Sequence, residues 1–210
     1  MKHCEPMIYV VDDDSSVLRA VARLLRTAGF NVSTFASARE FIEGVDLNVH
    51  GCIVLDIAMP ECGGLELQRS LTEKGSNLPI VFLTGHADVP MSVRAMKAGA
   101  VDLLTKPIEA KELVYAVSVA IARNRVARDA AMEVAAIRQR LAKLTPREYE
   151  VFEHVVCGQL NKETAAEMGT VEKTVKVHRA RVMEKLEVSS LADLVRLAER
   201  AGIYTVTASK

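Results

Sequence analysis

The chain's 210 residues suffice for one large domain or two small ones, and a hydrophobic content of 50% excludes a disordered chain. The formal net charge of zero hides a division: residues 1–120 carry 11 Lys and Arg against 15 Asp and Glu, residues 121–210 carry 16 against 12, so the halves stand at −4 and +4. An acidic regulatory half joined to a half that meets a polyanion fits this balance, as do two ordinary solvated surfaces. Cys4, Cys52, Cys62 and Cys157 share no C-x-x-C spacing and no neighbouring His cluster, so neither a zinc site nor a disulfide framework is indicated. The N-terminal residues lack an apolar signal core, and no run approaches the ~18 apolar residues that span a bilayer. No membrane association and a cytoplasmic location are expected.

Ile8-Tyr9-Val10-Val11 predicts an apolar strand ending in Asp12-Asp13-Asp14, followed by a helix through Val17, Leu18, Val21, Leu24 and Leu25 to a stop at Gly29. Asn31–Phe35 is a second strand, and Ser37-Ala38-Arg39-Glu40 has the spacing of a capping box that opens the next helix. A third strand, Cys52-Ile53-Val54-Leu55, delivers Asp56 at its carboxyl end before the Met59-Pro60 turn, and Gly63-Gly64 release a helix running to about Gly75. Residues 79–83 form a fourth strand ending at Thr84-Gly85, with a helix from near Asp88 to Gly99. Residues 100–104 form a fifth, closed by Thr105-Lys106-Pro107. Short strands that are apolar throughout, alternating with helices, argue for an α/β domain whose five-stranded parallel sheet is covered on both faces.

Such sheets bind ligands beyond the carboxyl ends of their strands. Those ends hold Asp12, Asp13 and Asp14, then Asp56, Thr84 and Lys106. Carboxylates converging at one rim raise one another's pKa unless a cation sits between them. Oxygen-only ligands favour a hard divalent ion such as Mg2+, which can neutralise charge on a phosphoryl group in transfer. Asp56 then reads as a nucleophile that forms an acyl phosphate, with Thr84 donating a hydroxyl hydrogen bond and Lys106 a positive charge to the new oxygens. Taken singly, each residue reads more readily as a strand-end cap or a surface charge, and it is the four ends together that favour a site. A phosphohydrolase built on Asp56 is a rival, but that class generally wants a second carboxylate two residues on, where Ala58 stands.

Residues 7–120 resemble a response-regulator receiver domain, on Asp12-Asp13-Asp14, Leu55-Asp56-Ile57-Ala58-Met59-Pro60, Leu83-Thr84-Gly85-His86 and Thr105-Lys106-Pro107 in that order. The resemblance implies a flavodoxin-like fold, phosphorylation of Asp56 by a sensor histidine kinase, and Mg2+ (or Mn2+) held by Asp13, Asp56 and the carbonyl of Ala58, with Asp12 acting mainly through water. Asp14 is expected as a helix cap or a more distant charge. Thr84, Lys106 and Leu103 would sense the phosphate, although the family usually carries Tyr or Phe where Leu103 stands, so an aromatic rotamer switch does not carry over. Ala58 and His86 border the family's site for attacking water; Ala58 cannot hydrogen-bond that water, which leaves the phosphoryl lifetime to depend partly on His86.

Residues 109–144 hold no Gly or Pro, and these 36 residues as one helix at ~1.5 Å each would reach roughly 54 Å. Within them Val126, Ala130, Val134, Ile137, Leu141 and Leu144 recur with coiled-coil spacing. A solvated connecting helix is the equal alternative, and a flexible Gly/Ser linker is excluded by composition.

Thr145-Pro146-Arg147-Glu148 is a helix start with its capping box, and that helix stops at Gly158. A short helix from Asn161 to Gly169, a longer one over residues 171–186, and a fourth opened by Ser190 and ended by Gly202 follow. Two helices joined by a Gly-containing turn form a helix-turn-helix, whose second helix normally enters the major groove. On that helix Val171, Val175, Val182 and Leu186 are expected in the core, and Lys173, Lys176, Val177, Ala180 and Arg181 on the opposite face, with His178 and Arg179 between. Cations there suit phosphates and guanine edges, and Val177 and Ala180 suit thymine methyls; the bland alternative is a solvated cationic face.

Leu144 to Glu148, Asn161-Lys162-Glu163 and the run Glu172-Lys173-Thr174-Val175-Lys176-Val177-His178 resemble the LuxR-type helix-turn-helix. With the receiver, this makes the chain similar to FixJ/NarL-family response regulators, nearest the FixJ branch, with a receiver over 1–120, a helical linker over 121–143 and a DNA-binding domain over 144–210. Thr170-Val171 replaces the family's usual Ile-Ser, so the helix cap is expected to move to Thr170. The resemblance implies a DNA-binding transcriptional regulator and not an enzyme. It would be a homodimer when phosphorylated, its partners being the cognate sensor histidine kinase and double-stranded operator DNA, with room for RNA polymerase. A DNA-binding regulator whose receiver works without phosphorylation stays open as the alternative.

Overall fold

The computed structural model describes residues 5–60, 62–85 and 89–203, and the chain divides into two compact units, Met1–Asp129 and Ala130–Lys210. In the first, β1 (Met7–Val11), β2 (Asn31–Phe35), β3 (Gly51–Asp56), β4 (Ile80–Thr84) and β5 (Asp102–Thr105) alternate with α1 (Ser15–Thr27), α2 (Ala38–Gly44), α3 (Gly64–Glu73), α4 (Val89–Lys97) and α5 (Ala110–Leu141). The sheet has the order β2-β1-β3-β4-β5 and every pairing is parallel. The strand rhythm predicts the parallel sheet, and this order is the flavodoxin-like arrangement that the receiver resemblance implies.

The buried strands β1, β3 and β4 divide alternate side chains between two faces. Tyr9, Ile53, Leu55, Ile80 and Phe82 belong to a core with Phe41, Leu67, Leu71 and Ala95. Their neighbours Ile8, Val10, Cys52, Val54, Val81 and Leu83 belong to another with Val21, Leu25, Leu113 and Val117. Each large side chain buried in this way contributes ~1.5–3 kcal/mol, so the sheet is clamped from both sides and its strand ends are held in place. Gly51 lets β1 and β3 start in contact, since a Cβ there would lie 1.9 Å from the Met7 carbonyl oxygen. Asp14 caps α1, accepting the Ser16 N–H at 2.7 Å and the Val17 N–H at 3.4 Å. The fifth strand starts at Asp102 and not at residue 100, because the Ala100 N–H still donates to the Ala95 carbonyl at the end of α4.

Helix α5 is one element of 32 residues. The C-terminal part of the coiled-coil spacing read along it packs within the chain. Ile137 and Leu141 are buried, and Leu144 partly so, in the core of the second unit, while Val126 is exposed. An apolar stripe is filled by whichever surface meets it, and periodicity alone does not name that surface. The division between Asp129 and Ala130 falls inside the stretch read as a linker.

The second unit contains α6 (Pro146–Val156), α7 (Asn161–Glu167), α8 (Glu172–Leu186) and α9 (Leu191–Arg200). Thr145 and Glu148 close the expected capping box: the Glu148 N–H donates to the Thr145 hydroxyl at 3.3 Å and the Thr145 N–H to the Glu148 carboxylate at 2.8 Å. Val175, Val182 and Leu186 are buried as the α8 period predicts, but Val171 is 64% exposed. Val171 is itself the N-cap, and its extended backbone (φ −101°, ψ 149°) takes it off the helical stripe. The cap does not move to Thr170, whose N–H instead closes α7 on the Ala165 carbonyl at 2.9 Å; α8 starts with no side-chain cap.

Candidate functional site

The strand order reverses between β1 and β3, and it is beyond the carboxyl ends of such a pair that open α/β sheets bind their ligands. Val11 pairs with Leu55, so Asp12 and Asp56 emerge side by side. Both are buried, 0% and 3% exposed. Lys106, just past β5, reaches across β4 and places its Nζ 2.7 Å from Asp12 Oδ2 and 2.6 Å from Asp56 Oδ1. The other Asp56 oxygen accepts the Ala58 N–H at 2.7 Å. Thr84 ends β4 with its residue 4% exposed, and its carbonyl accepts the Lys106 N–H at 2.7 Å. Gly64 opens α3 against this edge: a Cβ on it would lie 2.4 Å from the Asp56 carbonyl oxygen.

The electrostatics follow from burial. Desolvation pushes the Asp12 carboxyl above its ordinary range, against the pull of the Lys106 and Asp14 hydrogen bonds. Desolvation also opposes the charge on Lys106, but the bonds to Asp12 and Asp56 outweigh it and hold the ammonium above its ordinary pKa. One fixed positive charge therefore stands between two buried carboxylates.

Asp13 is exposed beside them, and the backbone of Ala58 lies at the same rim. Among the described residues no three His, Cys, Asp or Glu side chains converge on one point. The donors on offer are all oxygen, from Asp12, Asp13, Asp56 and the Ala58 carbonyl, and that chemistry suits a hard divalent cation. Leu103 pairs with Phe82 and packs, partly buried as Met91 is, on the core that includes Phe82 and Ala95. His86 lies outside the described residues.

On α8 the predicted face is on the surface. Lys173, Lys176, Val177 (46% exposed), Ala180 and Arg181 are exposed, and Thr174, His178 and Arg179 are half-buried. Lys176 pairs with Glu172 one turn away at 2.9 Å. Arg179 donates to Asn161 Oδ1 at 3.1 Å, joining α8 to the start of α7, and His178 buries Nδ1 with no hydrogen-bond partner among the described residues. Glu148 also binds Lys185 of α8 at 2.6 Å, and Lys185 reaches the Lys143 carbonyl at 3.1 Å. Sequence reasoning found Glu148 as a cap and missed this partner, because nothing local marks a residue 37 positions away.

Residues 8–118 match the response regulator receiver domain family, and residues 142–198 match the bacterial regulatory proteins of the luxR family. The response regulator protein TodT of Pseudomonas putida is 45% identical over 194 residues, covering 92% of this chain and 86% of TodT. The transcriptional regulatory protein FixJ of Bradyrhizobium diazoefficiens is 41% identical over 196 residues, covering 93% of this chain and 96% of FixJ. Among solved structures, the response regulator StyR matches with a TM-score of 0.84 at 46% identity, covering 94% of this chain and 100% of that one. Full-length FixJ from B. japonicum matches with a TM-score of 0.57 at 40% identity, covering 95% and 98%. No helix among the described residues is long and apolar enough to cross a membrane. The chain belongs to the FixJ/NarL family of two-component response regulators, in which a receiver domain is joined to a LuxR-type DNA-binding domain to regulate transcription.

Proposed function

We propose that Asp56 is the phosphoacceptor through which a sensor histidine kinase sets the DNA binding of α8. The observation that carries this is the Lys106 ammonium held between the buried Asp12 and Asp56 at the reversal of strand order. An Asp56 oxygen attacks the phosphorus of the kinase's phosphohistidine; the new O–P bond forms as the P–N bond breaks, and the imidazole leaves with the electron pair. Asp13, Asp56 and the Ala58 carbonyl, with Asp12 through water, would hold Mg2+ (or Mn2+), which supplies neutralising charge to the phosphoryl oxygens.

Phosphorylation adds nearly two negative charges at Asp56. Lys106 then exchanges a carboxylate for phosphate oxygens, and the Thr84 hydroxyl donates to the same group. Moving Thr84 alters the end of β4, and Leu103 on the neighbouring strand repacks as an aliphatic side chain without a ring to rotate. Ala58 offers no hydrogen bond to an attacking water, so the lifetime of the phosphoryl group depends partly on His86. The altered receiver dimerises the protein on two-fold half-sites. There Lys173, Lys176 and Arg181 meet phosphates and guanine edges, Val177 and Ala180 meet thymine methyls, and Thr174, His178 and Arg179 border the contact.

Incubation with a small acyl-phosphate donor and Mg2+, read by intact mass, tests the assignment. The wild type is expected to gain a phosphoryl group and Asp56→Asn none; equal gain by the variant sinks it.

A further inference from the structure

Helix α5 buries Leu113, Ala116, Val117 and Ala120 in the core of the sheet, and the next position on that stripe is Asn124, 2% exposed. A buried amide costs stability unless its groups are bonded. Here both ends are: Oδ1 accepts the Gly51 N–H at 3.1 Å and Nδ2 donates to the Asn77 carbonyl at 3.0 Å. Gly51 opens β3, the strand that ends in Asp56, and Asn77 lies between α3 and β4. One turn further on, Arg128 donates to the Asn48 carbonyl, in the segment that leads into β3. Arg123, Asn124 and Ala127 also wall a cleft of about 290 Å3 with Asn77, Leu78 and Pro79. The receiver family matches only as far as residue 118, so Asn124 and Arg128 themselves lie beyond the matched part.

We propose that Asn124 is a positioning residue that fixes the rotation and register of α5 on the receiver sheet, and that with Arg128 it makes residues 121–128 part of the receiver's rigid body. The apolar contacts at Leu113, Ala116, Val117 and Ala120 are non-directional and tolerate a small roll or slide. Two directional bonds from one side chain to the backbones of two separate segments do not. A single buried polar residue that specifies register at some cost in stability is the best-attested use of such groups. The lower ends of β3 and β4 and the helix are thereby coupled, and a shift of one is transmitted to the other.

Hydrogen exchange on the full chain, without phosphorylation, tests this. In the wild type, amides of residues 121–128 should be protected to within about tenfold of those of residues 113–120. Asn124→Leu keeps the volume and extends the apolar stripe, yet should lose about tenfold or more of the protection at Gly51 and across 121–128, with 113–120 unchanged. Asn124→Asp keeps the acceptor and should retain protection at Gly51. Arg128→Ala, a change outside the core, should speed exchange only near its own turn and near Asn48. Wild-type exchange of 121–128 at the rate of an unprotected chain, or an Asn124→Leu variant as well protected as the wild type at Gly51 and 121–128, overturns the proposal. If Asn124→Leu fails to fold, the Asn124→Asp and Arg128→Ala patterns decide, and no change in Arg128→Ala overturns the role of Arg128.

Discussion

Lys106 and Lys176 are both lysines beside carboxylates, and they sit at opposite ends of what a protein does with a charge. Lys106 bridges two carboxylates that are almost wholly buried, one from the end of β1 and one from the end of β3. Lys176 is mostly exposed and meets Glu172 across one turn of its own helix. Charges in the first setting interact strongly and in fixed geometry; the second pair is worth ~0.3–0.5 kcal/mol and is screened by salt. At the receiver rim the charges are satisfied among themselves, so in the proposed reaction a phosphoryl group would have to compete for Lys106. Along α8 the cations Lys173 and Arg181 make no ion pair among the described residues, and Lys176 is held only loosely. That face is the one proposed to meet DNA.

Removing each cation should expose the difference. Lys106→Met leaves Asp12 and Asp56 facing each other without a counter-charge and is expected to destabilise the receiver by about 3 kcal/mol in urea unfolding. A loss below ~1 kcal/mol would make this contact equivalent to a surface pair.

Glu148 sits between the extremes, buried in the second unit but bound to a half-exposed lysine. Glu148→Ala breaks both the capping box and the Lys185 bond and is expected to cost ~1–2 kcal/mol. The Lys185 hydrogen bond first, and the Thr145 N–H second, hold the Glu148 carboxyl at about 2, below its ordinary 4.5. A depressed carboxyl contributes stability that is whole above pH 4.5 and is lost as pH falls towards 2. Denaturant midpoints for unfolding of the second unit should therefore fall over that window in the wild type and fall less in Glu148→Ala.

Lys176→Ala should change unfolding stability least, by under ~0.5 kcal/mol. Binding to DNA selected from a random pool should nevertheless lose ~1–3 kcal/mol of discrimination if Lys176 reads a base edge. Unchanged discrimination would leave Lys176 as a solvated charge and remove the contrast with Lys106.

The same contrast governs what was legible in the sequence. Asp12, Asp56, Thr84 and Lys106 could be found because each ends an apolar strand, and parallel strands bring their carboxyl ends to one rim whatever the helices do. Burial along α8 was legible at Val175, Val182 and Leu186, where the helical period applies, and failed at Val171, where the backbone is extended. Ile137 and Leu141 announced an apolar face, but which surface covers it is set by tertiary packing. Asn124 did leave a signal, a polar residue where the α5 stripe calls for an apolar one, but its partners Gly51 and Asn77 are backbone groups, which no side-chain pattern records.

The most direct measurement compares wild type and Asp56→Asn on DNA selected from a random pool, with and without an acyl-phosphate donor and Mg2+. Wild-type affinity is expected to tighten by about tenfold on phosphorylation, while the variant stays at the unphosphorylated level under both conditions. Equal tightening of the variant, or no tightening of a wild type shown by mass to carry the phosphoryl group, would contradict phosphate control of DNA binding and favour a receiver that works without it.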